Sequence, residues 1–169
     1  MVENPEEEDP MPAIAPMLWF DTQAEEAARF YTSVFPNSRI TAVSHYGDAG
    51  PRPAGTVLTV AFELDGEPFT ALNGGPEFQF SEAISFVIDC KDQEEVDYYW
   101  TKLAEGGEES QCGWVKDRFG LWWQVVPAEL PSLIGDPDPG RAQRAMQAML
   151  QMRKLDVAAL RAAADSVPA

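Results

Sequence analysis

One order of elements occurs twice in this chain, and it narrows the choice of folds more than any other feature. In the first copy IAPMLWF (14–20) is a short apolar strand and DTQAEEAARFYTSVFPNS (21–38) is a helix. Thr22 is placed to cap that helix, and Glu25 three residues later completes a capping box. Ala24, Ala27, Ala28, Tyr31 and Val34/Phe35 recur at helical spacing and predict its buried face, with Pro36–Asn37 as the stop. RITAVSHY then reads as a strand and GDAGPRPAG (47–55) as a loop. TVLTVAFELDG is a strand that turns at Asp65–Gly66, and EPFTALNGG is a third.

The second copy opens with the strand SEAISFVIDC (81–90). KDQEEVDYYWTKLAEGG is its helix, with Asp92 as N-cap, Val96, Tyr99/Trp100 and Leu103 on one face and Gly106–Gly107 as the stop. ESQCGWVKD and GLWWQVVP supply the closing strands. The two halves share little sequence but the same order, which predicts an α+β fold of two βαβββ modules. The boundaries read as an acidic tail at 1–12, expected to be disordered, a first module at 13–76, a second at 77–127 and a helical extension at 128–169. Within that extension RAQRAMQAMLQMRKL (141–155) predicts an amphipathic helix with Ala145/Met146, Met149/Leu150 and Leu155 on one stripe, and Asp156 caps a last helical segment. A methionine-bearing stripe at this spacing is ordinary packing surface, within the chain or against a second copy.

Composition excludes several classes of function. The formal net charge is −16 over 169 residues, and it remains −11 without the five acidic residues of the first nine. Such a field repels phosphate backbones, so a nucleic-acid partner is not expected. No apolar run approaches the ~20 residues that span a bilayer, and the acidic, proline-bearing start is unlike a signal peptide, so the expectation is a cytoplasmic protein with no membrane partner. Cys90 and Cys112 form neither a CxxC pair nor a disulfide framework and read as reduced thiols.

The chemistry-bearing residues are sparse. There is no GxGxxG after a strand and no P-loop lysine, so no nucleotide cofactor is expected. His45 is the one histidine, which excludes a two-histidine metal site within the chain. The acidic residues around Asp92 are accounted for by the helix N-terminus, and Asp117 suits a turn better than general-base duty. GDAGPRPAG is a flexible connection with the potential to close over a pocket. Gln124 is the unexplained polar residue: it stands between Trp122–Trp123 and Val125–Val126 in the most apolar strand. By strand alternation Trp122, Gln124 and Val126 share one face, and Trp123 and Val125 the other.

Three segments, WFDTQAEEAARFYTSVFPNS, NGGPEFQFSEAISFVIDCKDQEEVDYYWTKLAEGG (73–107) and CGWVKDRFGLWWQVVP (112–127), closely resemble the PhnB-like branch of the vicinal oxygen chelate superfamily, the glyoxalase and bleomycin-resistance fold. Some members of that branch carry a 3-demethylubiquinone methyltransferase label. The resemblance runs over about residues 12–160, helical tail included. It implies that the modules pair as a cup-shaped mixed sheet around a small-molecule site, usually in a homodimer. Metal-dependent members present ligands from the first and last strand of each module. The second-module histidine position corresponds to Ala83 and its glutamate position to Gln124. The first-module positions fall near Ile14 and near Leu72 or Asn73. Amide or apolar groups stand at all of them, so the ordinary metal site is not expected; which residue would be catalytic is left open, with Gln124, Asn73 and His45 able to orient a substrate if the chain is an enzyme.

What remains is the cup. The resemblance turns the Gln124 face inward, with Ala83 and Ser85 on the facing strand, and Asn73 able to meet them. Trp122 shares the Gln124 face, and Trp114 and Phe78, with Phe80, supply walls. These aromatics either line a pocket or fill a closed cup. Three functions follow: a metal-free binding protein for a small, partly aromatic compound; a superfamily enzyme (lyase, isomerase, dioxygenase or the labelled methyltransferase) acting on a small oxygenated metabolite; or an interaction module.

Overall fold

The computed structural model describes residues 13–167; the tail expectation for residues 1–12 lies outside them. The chain divides at Gly74/Gly75 into two compact units, and each repeats the strand–helix–three-strand order.

In the first unit β1 (Met17–Phe20) is followed by α1 (Ala24–Val34), β2 (Arg39–His45), β3 (Val57–Leu64) and β4 (Glu67–Asn73), in sheet order β1-β4-β3-β2. β1 runs parallel to β4 with Leu18 opposite Ala71 and Phe20 opposite Asn73; the other pairs are antiparallel. The register puts Leu18, Ala71, Val60 and Phe62 on one face, all buried. α1 covers that face with Ala24, Ala27, Ala28, Tyr31 and Val34, the side its spacing predicts. Tyr31 stacks on Phe62 at 6.2 Å between ring centroids. Asp65 (φ 50°) and Gly66 (φ 83°) form the β3–β4 turn, a pair of left-handed residues that suits the twist of a two-residue hairpin.

The expected Thr22 cap is not formed. α1 starts at Ala24, and Gln23 at its N-cap makes no side-chain bond to the first turn. Asn73 takes the role instead, its Oδ1 accepting the Ala24 N–H at 2.8 Å. The parallel register that sets Phe20 beside Asn73 delivers a rigid, buried amide to the β1–α1 turn, and that long-range partner displaces the local hydroxyl.

The second unit holds β5 (Phe86–Cys90), α2 (Gln93–Ala104), β6 (Glu108–Glu109), β7 (Trp114–Lys116) and β8 (Trp122–Pro127), in order β5-β8-β7-β6 with β5 parallel to β8. Asp92 caps α2 as read, accepting the Glu95 N–H at 3.0 Å. β5 is shorter than the predicted 81–90 strand. Its register starts with Phe86 opposite Trp123, and β8 itself begins at Trp122, so earlier residues have almost no ladder to join. ESQCGWVKD is likewise broken, by Cys112 (φ 56°) and Gly113 (φ 83°).

Three helices follow: α3 (Leu130–Ile134), α4 (Pro139–Met149) and α5 (Val157–Asp165). Leu130, Leu133, Ala145, Leu155, Leu160 and Ala164 form their core, with Val126 and Met149 packed against it. The helix expected to reach residue 155 ends at Met149. The residues beyond it leave the helix to place Met152 O and Arg153 O at 2.8 Å from the N–H groups of Cys112 and Gly113, satisfying the backbone where the β6–β7 segment breaks. Met146 (36%) and Leu150 (51%) are consequently exposed rather than part of the buried stripe. Asp156 caps α5 as predicted, accepting the Ala159 N–H at 2.9 Å. Among the described residues no helix is long and apolar enough to cross a membrane.

Candidate functional site

The hairpin β7–β8 sorts its side chains by register. Val115 lies opposite Trp123, and Trp123 opposite Phe86, so these share a face with Glu109. α2 lies on that face: Trp100 Nε1 donates to Glu109 Oε1 at 3.0 Å, and Val115, Trp123 and Val125 are buried beneath the helix. The opposite face carries Trp114, Lys116, Trp122, Gln124 and Val87 in adjacent rows. Gln124 therefore stands on the side of its sheet away from α2, as the alternation of β8 requires.

On that face the Gln124 amide is held rather than stranded. Its Nε2 donates to Ser85 Oγ at 3.0 Å, a half-buried bond spanning 39 residues. Trp114 and Trp122 meet edge to face, 6.4 Å between centroids. Lys116 Nζ lies 5.9 Å from the Trp122 ring and pairs with Glu108 Oε1 at 2.7 Å. The structure thus brings together four of the sequence-derived site residues, Gln124, Ser85, Trp122 and Trp114, and adds Lys116. Its place beside Trp122 is a two-residue alternation from Trp114, which is the signal that would have found it. Val87, in the row of Gln124, is 58% exposed, and Ile84 71%. Phe78 lies in the irregular segment before β5 and is 65% exposed. Ala83 is exposed in the same segment.

Asn73 has a different setting. It lies on the α1 side of its sheet, whereas Leu72 lies on the other side, in one row with Trp19 and Thr59. Both ends of its amide are engaged: besides the Ala24 bond, Nδ2 donates to Val57 O at 3.2 Å. Its backbone carbonyl accepts the Tyr46 hydroxyl at 2.6 Å. The fold of the first unit alone accounts for this residue.

The other singled-out groups behave as structural residues. Asp117 is 1% exposed; its Oδ1 accepts the N–H groups of Phe119 (2.8 Å) and Leu121 (3.1 Å), and its Oδ2 accepts Trp123 Nε1 at 2.9 Å. It builds the hairpin turn and pins the helix-side tryptophan. Cys90 is fully buried, and burial, with Glu95 and Asp89 nearby, pushes its thiol up to about 12. A thiol so raised is no nucleophile near neutral pH. His45 ends β2 and is exposed. Among the described residues no group of three or more His, Cys, Asp or Glu side chains is placed to hold a metal ion.

Comparison with known proteins gives one family and one fold. Residues 12–126 match the family model described as 3-demethylubiquinone-9 3-methyltransferase. The PhnB protein from Bacillus cereus is 34% identical, with 69% of this chain and 100% of that one covered and a TM-score of 0.63. A protein from Pseudomonas aeruginosa is 22% identical over 69% of this chain and 98% of its own, with a TM-score of 0.58, a likeness of fold. No curated protein matches. The resemblance read from the sequence extends to residue 160, but the family model ends at 126, so α3, α4 and α5 lie outside it.

Proposed function

Because the chain belongs to the 3-demethylubiquinone-9 3-methyltransferase family, the PhnB-like branch of the vicinal oxygen chelate superfamily, we propose that it is a metal-free small-molecule-binding protein whose ligand sits against the Gln124 face of the second sheet. The observation that carries this reading is the Gln124–Ser85 pair, a half-buried amide and hydroxyl set beside the Trp114–Trp122 pair. An aromatic wall with a few placed polar groups is the usual make-up of a small-molecule site. Ser85 engages the amide nitrogen, which leaves Gln124 Oε1 as the acceptor for a ligand O–H or N–H. An aromatic ring of the ligand stacks on Trp114, the more exposed indole, which Trp122 backs from the buried side. Phe78, exposed in the irregular segment before β5, is a further candidate wall of this proposal, and Asn73 does not enter it.

The donor set does not fit the divalent ion of metal-dependent superfamily members. The positions that the resemblance assigns to its ligands read Ala83 and Gln124 in the second module, and near Ile14 and near Leu72 or Asn73 in the first, with no imidazole or carboxylate among these residues. A neutral amide oxygen is a poor replacement for a carboxylate on such an ion. Ser85 fixes the Gln124 amide in a role that needs no ion.

Titration of the tryptophan fluorescence with small hydroxylated aromatic compounds tests the proposal. A saturable change in the native chain, weakened about tenfold or more by Gln124→Leu, supports it. Absence of a saturable change across the panel sinks it, and a stoichiometric divalent ion in the purified protein sinks the metal-free part. The family description favours one competing reading, methyl transfer to a demethylated quinone, and turnover of a methyl donor by the native chain would replace binding with catalysis. We further propose a homodimer, as the family resemblance implies, in a reducing compartment that suits two free cysteines; light scattering tests the dimer directly.

A further inference from the structure

The first unit contains a cavity of about 400 Å³ between the start of α1 and the loop that GDAGPRPAG forms. Thr22, Arg52, Pro53, Thr56, Val57 and Asn73 line it. Its floor is rigid. Asn73 is fixed by Ala24 and Val57 through its side chain and by Tyr46 through its carbonyl. The loop is closed at its base by Tyr46 N–H to Thr56 O and Gly55 N–H to Tyr46 O, each 2.8 Å. Thr56 Oγ1 donates to Pro53 O at 2.7 Å, which holds the loop's last turn.

One cation serves this cavity. Arg52 Nη2 pairs with Asp21 Oδ1 at 2.9 Å, tying the loop to the β1–α1 turn. The Arg52 side chain is 25% exposed and that of Asp21 is 52% exposed. An ion pair this open to water contributes little, so another carboxylate can take its place at small cost. A guanidinium accepts a carboxylate through two parallel N–H bonds, a stronger arrangement than the single contact Asp21 makes. Glu25 in the lining and Asp21 at the rim disfavour a dianion, as does the net charge of −16. Pro53 and Val57 offer apolar surface to the body of a ligand, and the volume falls within the ordinary range for small-molecule sites.

We propose that this cavity is a second ligand site, for a small monocarboxylic acid whose carboxylate takes Arg52 over from Asp21. Loop 47–55 supplies the recognition residue, and the floor at Asn73 keeps it in place. This assignment rests on first-unit residues alone and not on the function proposed for the Gln124 face.

The test uses the full chain with benzoate, its neutral isostere benzamide, and inorganic phosphate, followed by amide and guanidinium shifts in nitrogen–proton spectra. Benzoate is expected to give saturable shifts at Arg52, Gly55 and Ala24, with benzamide and phosphate at least about tenfold weaker. Arg52→Gln should weaken benzoate by about tenfold or more, and Arg52→Lys by less, because a lysine keeps the charge without the fork. Asp21→Asn, an exposed change that leaves the fold intact, should strengthen benzoate several-fold by removing the internal competitor. Equal binding of benzamide and benzoate overturns the proposal. So does an Asp21→Asn variant no tighter than the native chain, or the lack of any saturable shift through the millimolar range. Tryptophan fluorescence of the Gln124→Leu variant reads the other site, so the two proposals fail separately.

Discussion

Asn73 Oδ1 accepts the backbone N–H of Ala24 at 2.8 Å across 49 residues, so the last strand of the first unit caps that unit's own helix. The same side chain donates to Val57 O, and its carbonyl receives the Tyr46 hydroxyl. One residue, through its side-chain amide and its own carbonyl, thereby joins β4, α1, β3 and the start of the 47–55 loop.

Replacing Asn73 by Ala should cost about 2 kcal/mol, the sum of a lost N-cap and the half-buried Val57 carbonyl left without its donor. Thr22→Ala should stay within about 0.5 kcal/mol, because its hydroxyl caps nothing. Urea unfolding of the two variants separates the assignments. If Thr22→Ala proved the more damaging, the long-range cap would be wrong.

Cys90 makes a pH prediction. Its thiol is pushed up to about 12 from an ordinary 9.0, first by burial. A folded-state value above the unfolded one means that the folded chain holds the proton more tightly. The resulting stability is complete below about pH 9, the unfolded value, and is lost as pH rises toward the folded one. Alkaline unfolding should therefore flatten in Cys90→Ala relative to the native chain, whatever the variant's stability at neutral pH. At neutral pH a thiol reagent should modify Cys112, which is partly exposed, before Cys90. An equal rate at the two cysteines would show that Cys90 is not sealed.

Local and periodic features were legible in the sequence because they depend on near neighbours. The faces of α1 and α2 follow from spacing, and the caps Asp92 and Asp156 act three residues along the chain. The turn role of Asp117 follows from Gly120 and the flanking apolar strands. Hydrogen bonds set by register were not legible from spacing or alternation alone. Asn73 reaches Ala24 only because β1 and β4 are parallel neighbours, and Gln124 reaches Ser85 only because β5 lies beside β8. The early end of α4 had the same cause: the backbone of Cys112 and Gly113 needed acceptors that a continuing helix would have kept for itself. Alternation set Gln124 on one face with Trp122 and the resemblance set Ser85 on the facing strand; the hydrogen bond between them is what the structure adds.

The hairpin of the second unit depends on one buried carboxylate. Asp117 accepts two backbone N–H groups and the Trp123 indole. Asp117→Ala leaves three donors without their acceptor in a site that water scarcely reaches, so a loss of about 3 kcal/mol or more is expected. Asp117→Asn retains one acceptor oxygen but sets an amide N–H against the Trp123 N–H, and should fall between. The near-ultraviolet circular dichroism of Trp123 should weaken in both. A native-like spectrum and stability in Asp117→Ala would remove the turn from the list of structural essentials.

Gln93 plays a comparable part where α2 meets the C-terminal helices. Its Nε2 donates to Leu155 O and to Asp97 Oδ1, both at 3.0 Å, and its Oε1 accepts the Val157 N–H at 2.8 Å. Lys154 Nζ adds an ion pair with Asp97 at 2.6 Å. The hydrogen bonds from Lys154 and then Gln93 hold the Asp97 carboxyl below its ordinary value of 3.8. A depressed carboxylate contributes stability that is present above the ordinary value and is lost as pH falls through the lowered one. Gln93→Ala removes one of the two donors, so Asp97 should titrate closer to its ordinary value and the C-terminal helices should come loose at a higher pH than in the native chain. Near neutral pH the variant should lose about 2 kcal/mol, from two backbone bonds that the glutamine side chain closes. Hydrogen exchange should quicken in α5 while β8 stays protected, because β8 is held by its own ladder to β5 and β7. Acid titration followed by exchange at α5 measures both effects. Unchanged protection of α5 in Gln93→Ala would assign the docking of these helices to the Leu155–Leu160 core alone.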